Sequence, residues 1–359
     1  GGSTTGAAIT IRGTVDSDST ARDLSLNGGT SGAVQATGTV GATKALDVLT
    51  VANSAGMTFQ DTVNAATVTL SNTNGSITFG GLLTATTLNT AAQAYNVALN
   101  SGVAITNATT FSNTGSVALG NDQSDTTTFT GGVTATAPSS VSVGGTVNAT
   151  NSLISLGDNN TGVTLNSNTT LGAGSGNITL GGTVNGSFSL ALNSTGTTTL
   201  GGAVGGTTPL SSITTNSSGT TAINGGSVKT SGAQTYNDAV TLGATTTLTS
   251  TGSGDIAFGG TINGANTLAV NTAGATTFAD VVGGTNALAS ITTDAPAPVE
   301  VFKGTPASPN PYGAQPLVTG ASMALRAETE LAPPDTVPDT APRSHVTSPA
   351  PMTPPRPLS

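Results

Sequence analysis

The sequence contains no cysteine and no tryptophan, and it has few aromatic or charged residues of any kind. Aromatic side chains make up 3% and charged side chains 7% of the 359 residues. The lack of cysteine excludes disulfides, thiolate catalysis and cysteine metal sites. Because a typical soluble domain is about 25% charged, the surface of this protein must be solvated mainly by hydroxyl and amide groups.

Positive charge is especially scarce. The chain carries 8 Lys and Arg against 17 Asp and Glu, a net charge of −9. Nucleic-acid binding needs a cationic surface, as does attraction to anionic lipid, so neither partner is expected. No apolar run approaches the roughly 20 residues of a membrane-spanning helix, and no membrane span is expected in this chain.

What the sequence does contain is Gly, Asn and β-branched residues arranged in repeats. Residues 175–215 realign without a gap onto residues 253–293, an offset of 253 − 175 = 78 residues. The identical pairs include Gly181/Gly259, Asn185/Asn263, Asn193/Asn271, Gly205/Gly283 and Ile213/Ile291. Weaker similarity covers most of residues 1–295. Repetition on this scale is typical of solenoids and arrays.

Apolar residues alternate within each copy, as in Ile178-x-Leu180 and Leu268-x-Val270. Alternation of period two predicts short strands with one buried face, and Gly and Asn supply the turns. An array of β-sandwiches and a parallel β-solenoid both fit this pattern. Single aliphatic residues separated by Ala, Thr and Gly favour the thin core of a solenoid. At about 20 residues per coil, residues 1–295 would form roughly 15 coils.

Residues 296–359 differ in composition. They hold 15 of the 17 prolines, all three glutamates and the only histidine, His345. Proline cannot donate to a strand ladder, and proline-rich stretches form disordered or polyproline-II segments. The sequence therefore predicts an all-β solenoid over 1–295 followed by a Pro-rich disordered tail over 296–359.

Paired carboxylates are the main candidates for chemistry, because some β-helical proteins cleave polysaccharides with clustered acids. The candidates are Asp16 with Asp18, which would share one strand face, Asp122 with Asp125, and Asp158 beside Asn159. Such enzymes also need nearby cations. The basic residues of the repetitive part are Arg12, Arg22, Lys44 and Lys229, of which only Arg22 adjoins an acid, Asp23.

The favoured interpretation is that these acids cap their own turns. His345, in the predicted tail, is expected to be solvated. The segment Gly225–Thr230 lacks the Gly before Lys229 of a phosphate loop and predicts a hairpin-like turn. No catalytic, cofactor-binding or metal residue is therefore predicted, and no cofactor.

Three threonine triplets offer a further alternative. Thr126–Thr128, Thr197–Thr199 and Thr245–Thr247 could stack into flat hydroxyl arrays of the kind found in ice-binding solenoids. The triplets are irregularly spaced, however, and threonine is a good strand residue that keeps a charge-poor surface soluble. The second explanation is favoured.

The segments GGTVNG, NTAGATTF and VGGTNALASITTDA resemble the strand repeats of large bacterial surface proteins of the filamentous-haemagglutinin and autotransporter-passenger type. The resemblance implies a right-handed parallel β-helix, export to the cell surface or medium, and adhesion or matrix-building. The expected function is that of a structural or adhesive fragment, not an enzyme, with host or environmental surfaces or glycans as partners. A polysaccharide-cleaving enzyme and a Thr-array ice- or surface-binding protein remain the alternatives.

Overall fold

The computed structural model describes residues 6–294 together with two short strands, Val299–Val301 and Leu317–Thr319. The described residues form strands and turns and contain no helix. Each paired strand runs parallel to strands of the coils before and after it, as in Ile9–Ile11 with Val34–Ala36. The chain thus winds into a parallel β-solenoid of about 14 turns, which confirms the predicted fold class over the sandwich array.

Each coil contributes strands to three stacks, called here faces 1, 2 and 3 in chain order. Face 1 contains Ile9–Ile11, Val34–Ala36, Met57–Phe59, Ser76–Phe79, Asn96–Leu99, Ser116–Leu119, Val184–Asn185, Ser227–Thr230, Thr246–Ser250, Thr267–Thr272, Ser290–Thr293 and Leu317–Thr319. Val204 continues this face as a single bridging residue between Val184 and Val228.

Faces 2 and 3 follow in the same coils. Face 2 contains Val103–Ile105, Thr126–Phe129, Ser189–Ser194, Ser212–Thr215, Gln234–Tyr236, Ile256–Phe258, Thr276–Phe278 and Val299–Val301. Face 3 contains Leu24–Asn27, Thr109–Thr110, Val133–Ala135, Ile154–Leu156, Ile178–Leu180, Thr197–Leu200, Thr220–Ile223, Ala239–Leu242 and Ile262–Asn263.

Five longer strands turn a corner and belong to two faces. Faces 2 and 3 share Leu46–Ser54, Val63–Thr73 and Leu83–Thr90, and faces 1 and 2 share Ser140–Asn148 and Gly162–Gly174.

The core is a thin seam of stacked side chains between the three faces. On face 2, the inward residues Val147, Leu171 and Leu192 lie one above another and are at most 1% exposed. Aromatic rings stack in the same way, with Phe258 5.2 Å from Tyr236 and 5.3 Å from Phe278 between ring centroids. Burying each such side chain contributes roughly 1.5–3 kcal/mol, so stability accumulates coil by coil.

Glycine at two positions that correspond in the 78-residue repeat allows one coil to lie directly against the next. Gly186 and Gly264 have φ of +133° and +131°, where other residues are strained. An added Cβ would lie 2.6 Å from the Leu165 carbonyl oxygen at Gly186 and 2.5 Å from that of Leu242 at Gly264. Only glycine fits these turns.

The 78-residue repeat does not equal a whole number of coils. Between Val184 and Ile262 the chain passes through eleven strands, counting the Val204 bridge, which is three coils and two thirds of a fourth. A repeated segment therefore moves to another face: Val184–Asn185 lies on face 1, whereas its counterpart Ile262–Asn263 lies on face 3. The same local sequence therefore forms a strand of face 1 in one copy of the repeat and a strand of face 3 in the other.

The predicted tail begins where the described residues become sparse. Within 296–359 the structure describes only Val299–Val301, which pairs with Thr276–Phe278, and Leu317–Thr319, which pairs with Ser290–Thr293. The rest of that segment, including His345, lies outside the described residues.

Candidate functional site

Asp16 and Asp18 lie in the exposed loop between faces 2 and 3 and do not share a strand face, so that prediction was wrong. The two carboxylates instead interact with backbone N–H groups and with a neighbouring side chain. Asp16 Oδ1 accepts the backbone N–H groups of Thr43 (3.0 Å) and Lys44 (3.3 Å) from the next coil. Asp18 forms an ion pair with Arg22 (2.7 Å), and this guanidinium holds the pKa of Asp18 below its usual value.

Asp122 and Asp125 lie together in the exposed loop between faces 1 and 2. Asp125 Oδ2 accepts the backbone N–H groups of Asn121 (2.8 Å) and Asp122 (2.9 Å). Asp122 Oδ1 accepts the N–H of Ser124 (3.0 Å) and its hydroxyl (2.9 Å), and these bonds lower the pKa of Asp122. Both carboxylates cap the turn that contains them.

Asp158 lies at the third corner, between faces 3 and 1. Its Oδ1 accepts the backbone N–H groups of Asn160 (2.8 Å) and Thr161 (2.9 Å), while Asn159 is exposed. The three sets of candidate acids thus lie at three different corners of the solenoid. They do not converge into the groove that polysaccharide cleavage by paired carboxylates would require.

The remaining basic candidate is Lys229, in the segment Gly225–Thr230. Lys229 lies on face 1 in Ser227–Thr230, which follows a tight turn at Gly226 (φ +70°) and pairs in parallel with Thr246–Ser250. The predicted hairpin-like turn was therefore wrong, because the turn leads to the next face and not back along the same one. Over residues 6–294, no group of three or more His, Asp or Glu side chains is close enough to hold a metal ion.

A buried polar cluster inside the solenoid was not anticipated from the sequence. The Asp238 side chain, in a residue only 3% exposed, accepts hydroxyl bonds from Thr215 (2.7 Å) and from Thr221 (3.0 and 2.8 Å). Burial raises the pKa of this carboxyl. The hydroxyl donors come from two neighbouring strands of the preceding coil, so the carboxylate links two coils.

Two buried tyrosines are the sequence signal that could have indicated such clusters. Tyr236 donates to Gln234 Oε1 (3.0 Å), and Gln234 Nε2 in turn donates to the Thr249 carbonyl (3.0 Å). Tyr95 donates to the Leu70 carbonyl (2.8 Å), and burial raises its pKa to about 12. Tyrosine is rare in this chain, and both residues closely follow an Ala-Gln pair. The sequence does not show, however, which residues of the adjacent coils lie beside them.

The three threonine triplets do not stack on one another. In each triplet the central residue points into the core: Thr127, Thr198 and Thr246 are at most 1% exposed. The triplets also lie on different faces, with Thr126–Thr128 on face 2 and Thr197–Thr199 on face 3. Irregular spacing along the sequence corresponds to separate places in the fold.

A regular ladder of small residues does occur on the outer side of face 2, with one residue contributed by each coil. In register order its members are Thr126, Thr146, Thr170, Ala191, Thr214, Thr235, Ala257 and Thr277. All of them are at least partly exposed. Successive rungs of a parallel stack are about 4.8 Å apart, so the rungs repeat at that interval, and the row of hydroxyls is interrupted at Ala191 and Ala257.

In comparisons with known proteins, no protein-family model, curated protein or solved structure matches the chain. The part of the chain described by the structure also contains no helix of the length and apolarity needed to cross a membrane.

Proposed function

We propose that this chain is a non-catalytic, structural or adhesive part of an exported bacterial surface protein, and that it acts by presenting long hydroxyl-rich faces. The observation that carries the proposal is the outward ladder on face 2, in which six of eight rungs are threonine. A parallel solenoid repeats one small contact at every coil, so many weak contacts add along a surface.

The dispersion of the acidic residues supports a non-catalytic role. Asp122, Asp125 and Asp158 are each bonded to the turn that contains them, and these bonds account for their positions without a substrate. The resemblance to filamentous-haemagglutinin and autotransporter repeats supports export and the bacterial outer surface as the location.

Two measurements test this proposal. Antibody raised against the purified chain should label intact cells of the source organism, and protease added outside the cells should remove the label. Beads coated with the full chain should adhere to host or environmental surfaces more than beads coated with an unrelated protein of equal charge. Labelling only after cell lysis would contradict export, and equal adhesion of both bead types would contradict the adhesive role.

The same ladder favours ice binding as a second candidate function. Hydroxyls in a regular row on a parallel solenoid are the feature that such a function requires, and face 2 supplies six of them from Thr126 to Thr277. Purified chain should then show thermal hysteresis, and Thr146→Lys and Thr170→Lys should abolish it, whereas Thr43→Lys, in an exposed loop outside the strands, should not. Absence of thermal hysteresis in the unmodified chain would remove this candidate.

A further inference from the structure

A groove follows the corner between faces 2 and 3 over several coils. Its larger part has a volume of about 580 Å³, and its lining includes Thr128, Asn148, Thr150, Gly172, Asn193 and Thr195. A second part of about 380 Å³ includes Asn64, Thr84 and Thr106 and shares Thr128 with the first. The two parts therefore adjoin at Thr128.

A glycine in a row of outward residues makes room for an asparagine side chain. Thr128, Asn148, Gly172 and Asn193 occupy one outward register position in four successive coils. The Asn148 amide reaches over Gly172, since a Cβ placed there would lie 2.7 Å from Asn148 Oδ1. Asn148 and Asn193 thus flank Gly172, with their backbones two coil steps apart, about 10 Å.

These two amides are free, unlike many other asparagines of the solenoid. Asn151 Oδ1 accepts the N–H of Ser175 (3.0 Å), and Asn216 Oδ1 accepts that of Ser194 (2.9 Å). The side chains of Asn148 and Asn193 make no hydrogen bond within residues 6–294. Each keeps an amide donor and a carbonyl acceptor available to a ligand.

The chemistry of the lining selects the ligand class. The lining residues include no charged and no aromatic side chain. They are Asn, Thr, Ser, Gly and Ala, together with Ile105, which is 1% exposed. A charged ligand would find no counter-charge, and an apolar ligand would find methyl groups but no bulky exposed apolar side chain. A neutral chain of hydroxyl groups can use the donor and acceptor of both amides and continue along the groove past Thr128.

We infer that this groove is a binding site for a neutral oligo- or polysaccharide, held by Asn148 and Asn193, which flank Gly172. The inference rests on the proposed adhesive function and gives that function a specific site. The sugar chain lies along the solenoid axis, and its hydroxyls form hydrogen bonds with the two amides.

Substituting Gly172 is the first test, because a side chain at this position displaces the Asn148 amide. Gly172 does not have a positive φ, and an added Cβ would meet only the flexible Asn148 side chain, so Gly172→Thr should fold normally. The matched control is Gly162→Thr on face 1, where an added Cβ meets only Thr183. Titration calorimetry of the full chain should be performed with cellohexaose, maltohexaose and chitohexaose, and with oligogalacturonate as the anionic comparator.

At least one neutral hexasaccharide should bind, and Gly172→Thr should abolish this binding while Gly162→Thr leaves it unchanged. The double variant Asn148→Ala/Asn193→Ala should weaken binding about tenfold or more, since two hydrogen-bonding amides are lost. Asn89→Ala, which removes an exposed amide without a bonding partner on face 3, should have no effect.

Three results would overturn the inference: no neutral hexasaccharide binds, oligogalacturonate binds as well as the neutral sugars, or binding survives both groove variants. The bead-adhesion assay distinguishes failure of the saccharide-site inference from failure of the proposed adhesive function. If beads coated with Gly172→Thr adhere as well as unmodified beads, the adhesive role stands and the groove is not its site. If unmodified beads do not adhere, the adhesive role itself fails.

Discussion

Asn185 and Asn263, 78 residues apart, make the same pair of bonds to the coil that follows each of them. Asn185 Oδ1 accepts the backbone N–H groups of Thr207 (2.9 Å) and Thr208 (3.1 Å). Asn263 Oδ1 accepts those of Thr285 (2.9 Å) and Asn286 (3.1 Å). Because the two asparagines lie on different faces, the bonds depend on the local corner and not on the face. In both copies of the repeat, the asparagine side chain links its own coil to the backbone of the next coil.

We expect Asn185→Ala to lower the local free energy of unfolding by about 1 kcal/mol, the net value of such bonds at an exposed corner. Hydrogen exchange of the Thr207 and Thr208 amides should become faster, while exchange in distant coils should not change. Asn89→Ala is the control, because that exposed amide has no bonding partner among residues 6–294. Unchanged exchange at Thr207 and Thr208 in Asn185→Ala would show that the corner does not depend on the side chain.

Asp238 should make stability depend on pH in the direction opposite to most carboxylates. Burial raises its pKa above the usual 3.8, so the folded chain holds this proton to a higher pH than the unfolded chain does. The free energy of unfolding should therefore fall as pH rises above about 3.8 and level off above the raised pKa. Asp238→Asn retains an oxygen for the Thr215 and Thr221 hydroxyls and should remove this dependence.

Urea unfolding of the chain and of Asp238→Asn at about pH 4 and about pH 7 measures the effect. The variant should gain stability relative to the unmodified chain as pH rises. Asp47 is exposed and its side chain makes no hydrogen bond within the described residues, so Asp47→Asn should behave like the unmodified chain at both pH values. A variant that loses stability relative to the unmodified chain on going to neutral pH would contradict the raised pKa.

The sequence predicted the solenoid because the solenoid depends on local patterns: alternation sets the buried side of each strand, and Gly and Asn set the turns. It could not assign residues to faces, because the repeat covers eleven strands and so carries Asn185 and its counterpart Asn263 to different faces. It also gave no reason to bury Asp238, whose hydroxyl partners belong to the preceding coil. The groove around Gly172 likewise depends on which residues become neighbours across coils.

The aromatic stack on face 2 should be the most sensitive part of the carboxyl-terminal half. Phe258 is 1% exposed and lies between Tyr236 and Phe278. Phe258→Ala should cost about 3–5 kcal/mol because it removes buried surface and leaves a cavity between two rings. Phe258→Leu keeps much of the volume and should cost less than half as much. Equal losses for the two variants, measured by urea unfolding, would show that packing volume does not control stability here.

Thr127 is a place where removing a hydrogen-bonding group should stabilise the protein. Its side chain is 0% exposed, it lies between the inward residues Val103 and Val147, and its hydroxyl has no partner within the described residues. A buried hydroxyl without a partner costs about 1–3 kcal/mol, and valine has nearly the same shape. Thr127→Val should therefore raise the free energy of unfolding by about 1 kcal/mol or more.

The same substitution at Thr221 should have the opposite sign. The Thr221 hydroxyl donates to both oxygens of Asp238, so Thr221→Val leaves a buried carboxyl with fewer donors and should destabilise the protein by about 1–3 kcal/mol. The urea unfolding midpoints of the two variants, compared at one pH, test this difference in sign. The two sites differ mainly in whether the threonine hydroxyl has an acceptor. If both variants shift the midpoint in the same direction, the acceptor does not decide how loss of the hydroxyl changes the free energy of unfolding.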